Sequence, residues 1–176
     1  MTASLPERTC TLHAHLHVEP GTMADWHAMA PLHYRSHHAG AVTDVFRMVY
    51  APGRGNLTRA CPTQRTGGQA ASGTRATRVG VIVYARPALS LAARNRATGG
   101  RYRTAGLGRT SPARLLNREV RLVSRVVIAP NWRGLGLAAR LVAETLPKVG
   151  TPYVEALAAM GHVHPFFERA GMTAYP

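Results

Sequence analysis

Lysine is nearly missing from this chain: Lys148 stands alone beside 21 arginines. Acid is scarce too, eight residues in 176, and none occurs between Asp44 and Glu119. The two cysteines, Cys10 and Cys61, have no C-x-x-C spacing, so neither a zinc knuckle nor a disulfide framework is indicated. No apolar run reaches the roughly 18 residues that a spanning helix needs. The opening MTASLPERTC has no apolar segment of the kind found in secretory signals. The expectation is a cytoplasmic protein of a reducing compartment with no membrane partner. With 45% apolar residues the chain is too hydrophobic as a whole for intrinsic disorder. Its length suits a single domain, 1–176, able to bury a core without metal or disulfide staples.

What is abundant is positive charge, and it is unevenly spread. The net charge is +14, and residues 45–118 hold fourteen arginines and no acid. The remainder is neutral, with eight basic and eight acidic residues. A polyanion such as nucleic acid is one partner that residues 45–118 would attract. A GC-rich coding bias accounts for the arginine excess equally well. Within this region, residues 51–78 (APGRGNLTRACPTQRTGGQAASGTRATR) lose apolar periodicity and read as a mobile basic loop between two strands.

Patterning divides the rest. Residues 11–18 alternate with period 2, which predicts a strand with His13, His15 and His17 on one face. These histidines lack a cysteine or carboxylate at ligand spacing, so no metal is expected. TMADWHAM predicts a helix ended by Pro31, and AVTDVFRMVY and VGVIVYA predict strands. A second irregular basic stretch then runs to Val120, with a short helix at ALSLAARNR. VRLVSRVVIAP is a longer strand, with Val120, Leu122, Val126 and Ile128 expected on one face. An amphipathic helix follows to Leu146, then a strand at YVEALAAM, a short helix at HPFFERAG and a terminal strand at MTAY. The order implies a mixed α/β domain (α+β, with a mixed sheet).

One unit carries chemistry. After the strand ends at Pro130, the chain turns through Arg133, Gly134, Leu135 and Gly136 directly into the helix. Glycines let the backbone approach a ligand, and the first turn of a helix offers unpaired N–H groups at a positive dipole end. Arg133 adds a cation, and the whole suits a pyrophosphate. The third glycine and the distant acidic residue of a dinucleotide-binding Rossmann turn are not convincingly placed.

The run Arg133-Gly134-Leu135-Gly136-Leu137-Ala138 resembles the acyl-CoA signature Gln/Arg-x-x-Gly-x-Gly/Ala of the general amine N-acetyltransferase (GNAT) superfamily, and PFFERAGM resembles its later helix. The likeness is good over residues 117–176. It implies a GNAT-like acyl-CoA N-acyltransferase fold and acetyl-CoA as acyl donor. The amides of residues 134–138 would hold the pyrophosphate, and backbone groups of Val127 and Ile128 the pantetheine arm. The acceptor would be an amine of a small molecule, protein or nucleic acid. His33 and Tyr34, in the loop HYRSHHAG, would border it. Two narrower likenesses are to an acetyltransferase-like domain joined to ABC-type ATPases and to phage Mom-type DNA-modifying enzymes, the latter through His33–Tyr34 and Ser124–Arg125. They imply alternatives: a module with an ATPase partner, or a base-modifying enzyme.

Amine acylation needs a base for the amine and an acid for the leaving thiolate. Many members of the superfamily take the acid from a tyrosine in the late helix, where this chain has Phe167. Glu119 then stands as candidate base, and His162 or His164 as replacement acid. Each has a plainer reading: an ion pair with Arg118 or Arg121 for Glu119, and a helix cap for the histidines.

Overall fold

A computed structural model describes residues 11–33, 38–52, 76–103, 110–159, 161 and 163–175. Five strands form one mixed sheet in the order β1-β2-β3-β4-β5. They are β1 (Leu16–Pro20), β2 (Val42–Tyr50), β3 (Thr77–Ala85), β4 (Val120–Ile128) and β5 (Tyr153–Ala156). The first four run antiparallel to their neighbours, and β5 pairs parallel with β4. The helices are α1 (Thr11–Ala14), α2 (Met23–Met29), α3 (Ala92–Ala97), α4 (Thr110–Glu119), α5 (Leu137–Thr145) and α6 (Phe166–Arg169). This is the mixed α/β architecture the sequence implies, and β4-α5-β5 is its one parallel crossover among the described residues.

Alternation along β3 builds the layers. Ile82 and Tyr84 enter the larger core with Leu137, Leu141 and Val142 of α5. Val81 and Val83 enter a second core with Trp26 and Met29 of α2. β3 is therefore apolar on both faces, and helices cover both. Gly80 permits close approach between the strands: a Cβ there would lie 2.6 Å from Ile128 Cδ1. Helix α2 begins at a capping box, in which the Thr22 hydroxyl accepts from the Asp25 amide and the Asp25 carboxylate accepts from the Thr22 amide. Tyr84 places its hydroxyl 2.7 Å from that of Thr145 inside the larger core.

Four expectations are corrected. The first strand starts at Leu16, because α1 turns residues 11–14, with the His15 amide donating to the Leu12 carbonyl. His13 therefore lies in a helix, and the three histidines do not share a strand face. Residues 110–119, read as irregular, are helix α4, with Leu116 buried beside Tyr102 and Val120. Met172–Tyr175 form no strand: the Met172 amide donates to the Phe167 carbonyl, and its side chain packs on the larger core. Finally, β4 is not a single alternating face. Arg125 pairs with Val83 but Val123 pairs with Tyr84, so Ser124 is an extra residue, a β-bulge. The bulge shifts the alternation, and Val123 joins Val126 and Ile128 in facing the larger core. Of the basic loop read at 51–78, residues 53–75 lie outside the described residues.

Candidate active site

β4 and β5 part at the bulge. Their parallel pairing runs from Val120↔Tyr153 to Val123↔Ala156 and stops there. From Ser124 to Ile128, β4 keeps β3 on one side and has no strand on the other among the described residues. A cavity of about 410 Å³ opens in this gap. One wall is Val126, Val127 and Ile128, and another is the turn Trp132–Gly134 with Gly136. The start of α5 supplies Leu137, Ala138 and Ala139, while His164, Phe166 and Arg169 close the far side. Leu32 and His33 complete the rim.

The turn is shaped for backbone contact. Gly134 and Gly136 have φ of +80° and +73°, and a Cβ at either would meet nothing within 4 Å. Their need for glycine is therefore conformational, and the space above them is open. Gly136 is the N-cap of α5 with no side-chain cap, so the amides of the first helical turn face outward without an intrahelical acceptor.

Electrostatics point the same way. Among the described residues no aspartate or glutamate lines the cavity, whereas Arg133 and Arg169 both do. Arg133 meets no carboxylate among the described residues. Its Nε donates to the Ile128 carbonyl at 3.0 Å and its Nη2 to the Leu32 carbonyl at 3.2 Å. The guanidinium thus ties the end of β4 to the residue before His33, and keeps its charge uncompensated. A second tie lies at the bulge. The Ser124 hydroxyl donates to the Ala39 carbonyl and Arg125 Nη2 to the His38 carbonyl, both at 2.6 Å. Leu32 on one side of His33, and His38 and Ala39 further along the chain, are therefore each tied to β4 or the glycine turn.

The fates of the sequence-derived candidates differ. Val127, Ile128, Arg133, Gly134, Gly136, Leu137, Ala138, His33 and His164 all line the one cavity. Leu135 is exposed in the same turn but is not part of the lining. Tyr34 and His162 lie outside the described residues. Glu119 is not brought to the site. It ends α4 at the opposite end of β4, where Arg101 holds it bidentately at 2.9 and 3.0 Å and the Tyr102 hydroxyl donates to it at 2.8 Å. Arg101 and Tyr102 hold its carboxyl down at about 2, which leaves it a poor proton acceptor. Of its two readings, the ion pair describes its surroundings, with Arg101 the main partner and Arg118 at 3.5 Å. Glu155 is likewise engaged, by Arg94 at 2.8 and 3.0 Å. Phe167 packs partly buried on the core, its ring 4.2 Å from that of Phe166.

Sequence reasoning missed Arg169, the second cation at the cavity. Its signal was spacing: it stands three residues after Phe166, on the same helix face. It also did not place the pinning contacts of Ser124 and Arg125. No grouping of histidine, cysteine and carboxylate able to hold a metal occurs among the described residues. None of the described helices is long and apolar enough to cross a membrane.

No known family profile and no curated protein matches the chain. Among solved structures it is similar to an acetyltransferase of Trypanosoma brucei, with a TM-score of 0.42 and 17% identity over 92% of this chain and 94% of that one.

Proposed function

We propose that the chain is an acyl-CoA-dependent N-acyltransferase of the GNAT type. The observation that carries this reading is the carboxylate-free cavity in the gap between parallel strands, bordered by a positive-φ glycine turn at the head of a helix. The residues present fit the donor. Outward amides at residues 134–138 and the uncompensated Arg133 suit its pyrophosphate. The edge of β4 left unpaired beyond the bulge and the apolar walls suit a pantetheine arm. The Ile128 carbonyl already accepts from Arg133, so that group contributes by fixing the arginine. Acetyl-CoA, when bound, supplies an activated thioester carbonyl.

The chain's own side chains position and move protons. His33 and His164 both border the cavity, so one can take the proton of an acceptor amine and the other return one to the leaving thiolate. In this reading His164 replaces the tyrosine whose place Phe167 occupies. The acceptor enters past Leu32 and His33 at the rim, and its amine is the nucleophile. Isothermal titration with acetyl-CoA tests the donor assignment. Saturable binding by the native chain, lost in Arg133→Glu with Gly136→Glu, is the expected result. Absence of binding by the native chain, with co-purification of an ATPase, would instead support the non-catalytic partner module.

A further inference from the structure

The connection between β3 and β4 presents charge that the fold does not use. Its described residues, 86–103 and 110–119, contain seven arginines and a single carboxylate, Glu119. Internal pairing accounts for some of them. Arg94 is buried and bound to Glu155, and Arg101 and Arg118 share Glu119. Carboxylates of the sheet and of α2 are taken as well. Glu19 pairs with Arg47, Asp25 with Arg47 and Arg78, and Asp44 with Arg121 at 3.8 Å. Arg86, Arg96, Arg103 and Arg114 are left, all exposed and without an ion-pair partner among the described residues.

We propose that these four arginines form a docking surface for the sugar–phosphate backbone of a nucleic-acid duplex. Their frame is rigid rather than tail-like. Arg94 fastens α3 to β5 through Glu155 and to the Ala88 carbonyl at 2.6 Å. Arg101 and Tyr102 fasten the next turn to the end of α4 through Glu119. Planar guanidinium forks match phosphate oxygens, and neutralising them releases condensed counterions. The segment offers no exposed aromatic ring for stacking unpaired bases, because Tyr102 is 2% exposed. Leu89 is its one large exposed hydrophobic residue among those described, too little for membrane insertion.

This surface is not the cavity. No described residue of the connection lines the cavity, and the nine residues of β4 put roughly 26 Å between the end where the connection rejoins the sheet and the end at the cavity. A duplex bound here is held beside the catalytic centre and does not enter it. The surface therefore acts as a tether, independently of the acyl-transfer reading.

Fluorescence anisotropy of the full chain with a short labelled DNA duplex, over a salt series, tests this. The native chain is expected to bind with a steep negative log–log salt slope. Replacing Arg86, Arg96, Arg103 and Arg114 together with serine should weaken binding at least about tenfold and reduce the slope by about 3 to 4, near 0.9 per phosphate contact. The four-lysine variant should keep most of the slope, and acetyl-CoA titration should match the native chain in both. No duplex binding by the native chain overturns the proposal. So does unchanged affinity and slope in the serine variant, or tighter binding to single strands, polyglutamate or anionic vesicles than to the duplex.

Discussion

The two ends of β4 use arginine in opposite ways. Where the strand begins, Arg94 and Arg101 meet carboxylates bidentately, and each pair also organises neighbouring backbone or a buried tyrosine. Where it ends, Arg133 spends its hydrogen bonds on main-chain carbonyls and keeps its charge. A neutralised arginine is a fastener. One held by carbonyls is fastened and still able to attract an anion. The same side chain therefore serves stability at one end and recognition at the other, and its partners decide which.

Breaking the fastener should give the largest change. Arg94→Met leaves the Glu155 carboxylate, 15% exposed, without its bidentate partner. A loss of about 3 to 5 kcal/mol in unfolding free energy is expected from denaturant titration, with acetyl-CoA affinity unchanged in the fraction that folds. At the other end, Arg133→Met removes charge and both ties. Stability should move by about 1 kcal/mol, while the dissociation constant for acetyl-CoA rises about tenfold or more in calorimetry. Equal losses of stability and affinity in both variants would erase the contrast.

The smallest effect is conditional on pH. Glu119 has its carboxyl lowered from 4.5 to about 2, so its ion pair contributes fully above about pH 4.5 and is lost as pH falls toward 2. Glu119→Gln should flatten the acid limb of a Tm-versus-pH curve across that window and leave neutral-pH turnover intact. A large drop in turnover with the acid limb unchanged would restore Glu119 as a base.

The framework of this fold was legible where periodicity was long. β2, β3 and β4 follow from long runs rich in Val and Ile, α5 from apolar residues at helical spacing, and α2 from TMADWHAM ahead of Pro31. The glycine turn was legible because positive φ demands glycine at Gly134 and Gly136. Short elements misled. Histidines alternating with apolar residues imitate a strand over 11–15, yet Leu12 reaches the larger core from a helical turn. Helix α4 was hidden among arginines, though Pro112 near its start and Leu115–Leu116 on its inner side were its signs. Glu119 could not be read correctly, because its partners Arg101 and Tyr102 lie 18 and 17 positions away and meet it only through folding of the connection. The bulge at Ser124 was equally invisible, since register is a property of two strands. The cavity depends on it: the pairing of β4 with β5 ends beside that residue.

Hydrogen–deuterium exchange with and without acetyl-CoA tests the central claim most directly, because it reads both ends of β4 in one experiment. Slower exchange confined to peptides covering 124–139, with 86–103 unchanged, is the predicted result. Protection of 86–103, or no protection of the glycine turn at saturating acetyl-CoA, would contradict it.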